Sequence, residues 1–186
     1  MIGYAFCGSF CTFERSFGTL SALKEKYGDI LPIMSDNAYS TDTRFGKSSE
    51  WIEKIESLCQ RKIIHTIKDA EPLGPNISLE ALIIAPCTGN TVAKLAGGIT
   101  DTPVCMAAKA HLRSDRPLVI ALASNDAMSA NLGNIGKLLN RKNIFFVPML
   151  QDEPIKKPHS LVADFDYLIP AVEAAFAGKQ LRKLFL

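Results

Sequence analysis

Five apolar runs of four to six residues recur along this chain, and helical spacing fills most of the intervals between them. The runs are Ile2 to Cys7, Asp29 to Met34, Ala81 to Ala85, Leu118 to Ala123 and Ile144 to Val147. Helical patterns lie at about Thr12 to Lys26, Ser48 to Cys59, Thr91 to Ala96 and Ala130 to Asn140, and a last one covers about Ser160 to Phe176. Short runs that are apolar throughout suit strands buried on both faces. Strands that alternate with helices are joined by right-handed crossovers and form a parallel sheet covered on both sides. The expectation is an α/β fold with a doubly wound open parallel sheet. It is a Rossmann-like or flavodoxin-like three-layer sandwich, in a single domain over residues 1–186. Ligands of such sheets sit beyond the carboxyl ends of the strands.

Small polar residues collect at those ends. The first run is followed by Gly8, Ser9 and Phe10, and the second by Ser35, Asp36 and Asn37. The third runs into Pro86, Cys87, Thr88, Gly89, Asn90 and Thr91, where a helix begins at once. The fourth delivers Ser124, Asn125 and Asp126. A helix N-terminus has backbone N–H groups without intrahelical partners and a positive dipole end, so it attracts anions. An ordinary capped helix would use Thr88 or Asn90 in the same place. The convergence of four strand ends argues for more than a cap. Hydroxyls, amides and free N–H groups suit a planar, phosphorylated ligand. FMN meets that description, and so would a nucleotide or a sugar phosphate.

Several function classes are disfavoured. A net charge of +2 gives no argument for nucleic acid or membrane binding. The five cysteines are odd in number and contain no CxxC pair, so neither a disulfide framework nor a zinc ribbon is supported. The start of the chain reads as a strand and not as a secretory signal, which points to a cytoplasmic location. The dinucleotide fingerprint fails because Phe10 stands where a second glycine would be. Gly46-Lys47-Ser48 resembles the end of a phosphate-binding loop, but Thr41 occupies the position of the first glycine. No spacing of His, Cys, Asp or Glu suggests a metal site. Residues Asn37 to Lys47 read as a mobile loop, Glu71 to Asn76 as a turn-rich connector, and Gln151 to Pro158 as a surface crossing.

The order Gly8-Ser9, Ile33-Met34-Ser35 and Ala85-Pro86-Cys87-Thr88-Gly89-Asn90-Thr91 resembles the flavoprotein family of homo-oligomeric flavin-containing cysteine decarboxylases. That family also holds flavin prenyltransferases and phosphopantothenoylcysteine decarboxylase. The resemblance runs from Ile2 to about Ala175. It implies FMN as cofactor. Gly8, Ser9 and Phe10 would line the flavin phosphate and ring edge, and Ser35 the ribityl region. Thr88, Gly89, Asn90 and Thr91 would form a second phosphate and ribityl wall after Pro86, and Ser124 and Asn125 would close the ring side.

A narrower branch matches on Thr43-Arg44-Phe45-Gly46, Ala70 to Pro75, Met106 to Ala110, Lys142 to Pro148, Gln151-Asp152 and Lys156-Lys157-Pro158. That branch implies an oxidoreductase role in making dipicolinate from a tetrahydrodipicolinate-type precursor during sporulation. It also implies a small dicarboxylate substrate, a partner in the A subunit of dipicolinate synthase, and a homo-oligomer, trimer or dodecamer. Ala96 to Ile99 and Ala107 to Ala110 read as small-residue surfaces where helices of neighbouring copies could approach. The decarboxylases carry a His upstream of the flavin loop and a Pro-x-Met-Asn motif. Here Pro75-Asn76-Ile77-Ser78 and Met106-Ala107-Ala108-Lys109 stand instead. The late Tyr-x-x-Pro of the prenyltransferases reads Lys156-Lys157-Pro158. Three functions compete: a redox enzyme component, a non-catalytic flavin- or substrate-binding module, and an FMN-dependent decarboxylase or prenyltransferase. Asp126, Glu14 and Lys109 are the ionisable groups expected nearest the crevice, and none is an evident base.

Overall fold

Strand β1 (Ile2–Phe6) is buried at every position and lies in the middle of the sheet, which is why its five residues are apolar or glycine. The computed structural model describes residues 1–74 and 76–186. Pro75, part of the expected connector, lies outside the described residues. After β1 come a 3-10 turn (Phe10–Thr12), α1 (Phe13–Tyr27), β2 (Ile30–Met34), α2 (Asp36–Ser40), α3 (Ser48–Cys59) and α4 (Ile67–Ala70). The central part contains β3 (Ala81–Cys87), α5 (Gly89–Gly97), α6 (Pro103–Leu112), β4 (Leu118–Ser124) and α7 (Leu132–Leu139). The chain then forms β5 (Ile144–Phe146), β6 (Met149–Leu150), β7 (Leu161–Ala163), a second 3-10 turn (Phe165–Tyr167) and α8 (Leu168–Phe176).

The parallel part of the sheet has the order β2-β1-β3-β4-β5, the flavodoxin-like arrangement. Alternate strand residues serve opposite faces. Ile2, Tyr4 and Phe6 of β1 pack with Phe13, Leu20, Leu23, Trp51 and Ile55 beneath α1, α3 and α8. Ala5, with Cys7 just beyond the strand, packs with Ile84, Val92, Val104, Ile120 and Ile135 beneath α5, α6 and α7. Burying each large aliphatic or aromatic side chain stabilises the fold by about 1.5–3 kcal/mol relative to exposure. One polar thread crosses the first layer. The Tyr4 hydroxyl donates to the Ser16 carbonyl at 3.0 Å, and Ser16 Oγ donates to the Ala85 carbonyl at 2.6 Å. Helix α1 is thereby pinned to the end of β3, beside the site.

Three expectations need correction. The helix expected over Ser160 to Phe176 begins later, because Leu161–Ala163 pairs antiparallel with β4, Ala123 opposite Val162. The Asp164 side chain then accepts from the Asp166 N–H and opens the 3-10 turn that leads into α8. With β6, this places two antiparallel strands on an otherwise parallel sheet. Helix α6 is an element that the sequence pattern does not reveal, although Thr102 caps it and Pro103 occupies its first turn. The stretch expected as a mobile loop contains α2, capped by the Ser35 hydroxyl, which accepts from the Ala38 N–H at 3.3 Å. Among the described residues no helix is long and apolar enough to cross a membrane.

Candidate functional site

A cleft of about 680 Å³ opens at the carboxyl ends of β1, β3 and β4. This is the point where connections from neighbouring strands leave on opposite sides of the sheet, and where open α/β sheets bind their ligands. Gly8, Ser9 and Phe10 after β1 line it, with Thr88, Gly89 and Asn90 after β3 and Ser124 and Asn125 after β4. Three other residues expected at the site do not line it. Ser35 caps α2, Pro86 is buried in β3, and the Thr91 hydroxyl is turned inward.

The β3–α5 junction is fixed from beneath. The Thr88 hydroxyl caps α5 by accepting from the Thr91 N–H at 3.3 Å, and the two hydroxyl oxygens lie 3.0 Å apart. Thr91 Oγ1 donates to Cys7 Sγ at 3.3 Å, tying the loop to the end of β1. Burial pushes the neighbouring Cys87 thiol well above its ordinary range, so it stays protonated. The first amides of α5, those of Gly89 and Asn90, belong to the turn that has no intrahelical acceptor.

Gly89 meets the β4 turn at close quarters. A Cβ there would fall on Ser124 Oγ, 2.6 Å from Asn131 Nδ2 and 2.7 Å from Asp126 Oδ1. Those three side chains form one cluster. Ser124 Oγ donates to Asp126 Oδ1, and Asn131 Nδ2 donates to the same oxygen at 3.0 Å. The Ser124 hydrogen bond is the main reason the Asp126 carboxyl sits below the usual carboxylate range, with Asn131 adding to it. Asp126 is therefore an ionised acceptor in the cleft and not a proton donor.

Much of the remaining lining comes from two loops outside the expected site. Arg44 and Phe45 form the tip of a two-residue turn closed by reciprocal Thr43–Gly46 backbone hydrogen bonds of 3.1 Å each. Gly46 has a φ of 129° and packs against Trp51, where a Cβ would lie 2.7 Å from the indole nitrogen. The Arg44 guanidinium lies over the Phe45 ring at 4.8 Å. On the other side stand Asp152, Lys157 and Ser160. Lys157 Nζ reaches Asp152 Oδ2 at 3.0 Å and Glu153 Oε1 at 3.3 Å. Both bonds raise the Lys157 ammonium above its ordinary value. Burial alone would raise Asp152, but hydrogen bonds from Ser160 and Lys157 outweigh it and hold the carboxyl low. Thr43 to Gly46, Gln151-Asp152 and Lys156 to Pro158 are among the segments that carry the narrower resemblance, and that resemblance is the signal that points to these loops. Glu14 and Lys109, expected near the crevice, do not line it.

The cleft lies at the switch point of an open α/β sheet, and the chain belongs to the Flavoprotein family, whose model matches residues 1–171. It is similar over its whole length to the B subunit of dipicolinate synthase from Bacillus subtilis, with 44% identity over 185 residues covering 92% of that protein. The crystal structure of the dipicolinate synthase B subunit from Bacillus halodurans superposes with a TM-score of 0.91 at 40% identity, covering all of this chain and 95% of that one. An FMN-dependent cysteine decarboxylase shares the fold at a TM-score of 0.71 and 23% identity, with 95% of this chain and 94% of that one covered.

Proposed function

We propose that this chain binds FMN in the cleft and acts as the B subunit of a dipicolinate synthase, together with an unlike A subunit. The observation that carries the reading is the convergence of the β1, β3 and β4 loops on the N-terminus of α5. The residues present fit the cofactor. Gly89 leaves the helix start bare, its amide and that of Asn90 suit phosphate or ribityl oxygens, and the Ser9, Thr88 and Ser124 hydroxyls add oriented donors. Phe10 offers an apolar face, braced by Phe13 at 5.1 Å. When bound, FMN would supply a two-electron acceptor; aromatising a dihydropyridine dicarboxylate takes one such acceptance, and a tetrahydropyridine takes two in succession.

The chain's own groups bind and orient. The lining holds no histidine, Asp126 and Asp152 are held below the usual carboxylate range, and Lys157 is held above the usual ammonium value. General acid–base catalysis works best with a group poised near the operating pH. The paired carboxylates and ammonium here are not poised that way, which supports a division of labour with the A subunit. FMN titration of the purified chain, followed by flavin fluorescence, tests the cofactor part. Saturable binding of one FMN per chain is expected, and no binding at micromolar FMN would defeat it.

A further inference from the structure

The cleft is asymmetric in charge. Its β1 and β3 loops present neutral hydroxyls and amides, and the β4 loop adds the Asp126 carboxylate. Its cations are Arg44 and Lys157, carried on two separate loops. Arg44 comes from the segment after β2 and Lys157 from the segment before β7, and in the sheet order these strands flank β1, β3 and β4. The loops that carry the two cations therefore stem from strands on opposite flanks of the β1-β3-β4 edge.

Arg44 is exposed at the tip of the closed Thr43–Gly46 turn, with its guanidinium over the neighbouring Phe45 ring. Lys157 lies on a loop braced internally by Gln151 Nε2 donating to the Pro158 carbonyl at 3.1 Å. The Met128 N–H, donating to the His159 carbonyl at 2.9 Å, ties the same loop to the turn after β4. An ammonium has three donors. Asp152 and Glu153 take two of the Lys157 donors and leave one.

We propose that Arg44 and Lys157 form a two-ended carboxylate clamp for a pyridine-2,6-dicarboxylate or its reduced precursors, one cation to each carboxylate. This rests on the dipicolinate reading above and adds the residues that select the substrate. A pyridine-2,6-dicarboxylate carries two carboxylates, one on each side of the ring nitrogen, and two cations on separate loops can serve one each. A guanidinium donates two parallel hydrogen bonds to a carboxylate, and an ammonium binds one as a point charge.

Isothermal titration of the purified chain with pyridine-2,6-dicarboxylate and with pyridine-2-carboxylate, with and without saturating FMN, tests the clamp. The wild-type chain is expected to prefer the dicarboxylate. Arg44→Gln and Lys157→Gln should each lower dicarboxylate affinity by roughly ten- to a hundredfold, the value of one charge-assisted hydrogen-bonding partner. Each should also erase most of the preference over the monocarboxylate while leaving FMN affinity within a few-fold of wild type. Equal wild-type affinity for the two acids would overturn the clamp, and so would unchanged dicarboxylate binding in both variants. Loss of FMN binding in Arg44→Gln with dicarboxylate binding retained would assign Arg44 to the cofactor phosphate and also overturn it. Dicarboxylate binding that depends on both cations in a chain that ignores FMN would uphold the clamp and defeat the cofactor reading alone. FMN binding without dicarboxylate binding would defeat the clamp alone.

Discussion

At Gly89 a single methyl group would disrupt the cleft. Its Cβ would overlap Ser124 Oγ and crowd Asp126 and Asn131, whose positions are set by their shared hydrogen bonds. Overpacking of this kind costs about 1–3 kcal/mol. Gly89→Ala should lower thermal stability by that order and weaken FMN binding, as read by thermal melts and FMN titration of the same sample. Wild-type behaviour on both measures would show that the β4 turn can yield. Asn90 poses a different question, because it is exposed at the cleft and its removal leaves no cavity. Asn90→Leu should preserve the fold and reduce FMN affinity roughly ten- to a hundredfold, the value of about 1.5–3 kcal/mol for a lost hydrogen bond to a charged group. Equal affinity in both proteins would remove Asn90 from the site. Much of the lining was legible in sequence because strand ends in a parallel sheet share one edge, so Ser9, Thr88 and Ser124 had to meet. Arg44 and Lys157 were not legible as site residues. Their place depends on the path of long polar loops, which no periodicity encodes.

Among the elements, the five parallel strands were readable because burial on both faces leaves little besides apolar residues. Helix α6 escaped for a related reason. Val104, Cys105, Ala107, Ala108 and Ala110 are buried, so the helix shows no polar stripe to betray its period. The same burial corrects the expectation that Ala107 to Ala110 form an open small-residue surface for a neighbouring copy, since Ala107, Ala108 and Ala110 pack within this chain and only Lys109 is exposed. Gly98, expected in such a surface too, closes α5 in the left-handed conformation. Helix α6 also carries a pH-sensitive position. His111 is fully buried, its Nε2 donates to the Pro117 carbonyl at 2.9 Å, and its Nδ1 has no partner among the described residues. Desolvation lowers its pKa, outweighing the Pro117 hydrogen bond. The unfolded chain takes up a proton near pH 6.5 that the folded chain refuses, so the contribution of His111 to stability falls as pH drops below about 6.5 and is constant above it. Thermal melts between about pH 7.5 and 5.5 should show this slope in wild type and a shallower one in His111→Leu. An identical slope in the variant would place the titrating group elsewhere.

At the scale of the whole molecule, we also propose that copies of this chain assemble with one another, as the resemblance to flavin-containing decarboxylases implies. Ile99 and Leu132, each about half exposed, are available to such a contact. Light scattering at micromolar concentration should report an assembly larger than one chain, and a monomer would remove any shared site. In the proposed division of labour this chain orients flavin and dicarboxylate while an A subunit completes the chemistry. The rate of dipicolinate formation by the two purified chains, measured separately and mixed in the presence of FMN, decides it. The mixture should exceed the sum of the separate rates by a wide margin. Full activity from the A subunit by itself, or from this chain by itself, would contradict the claim.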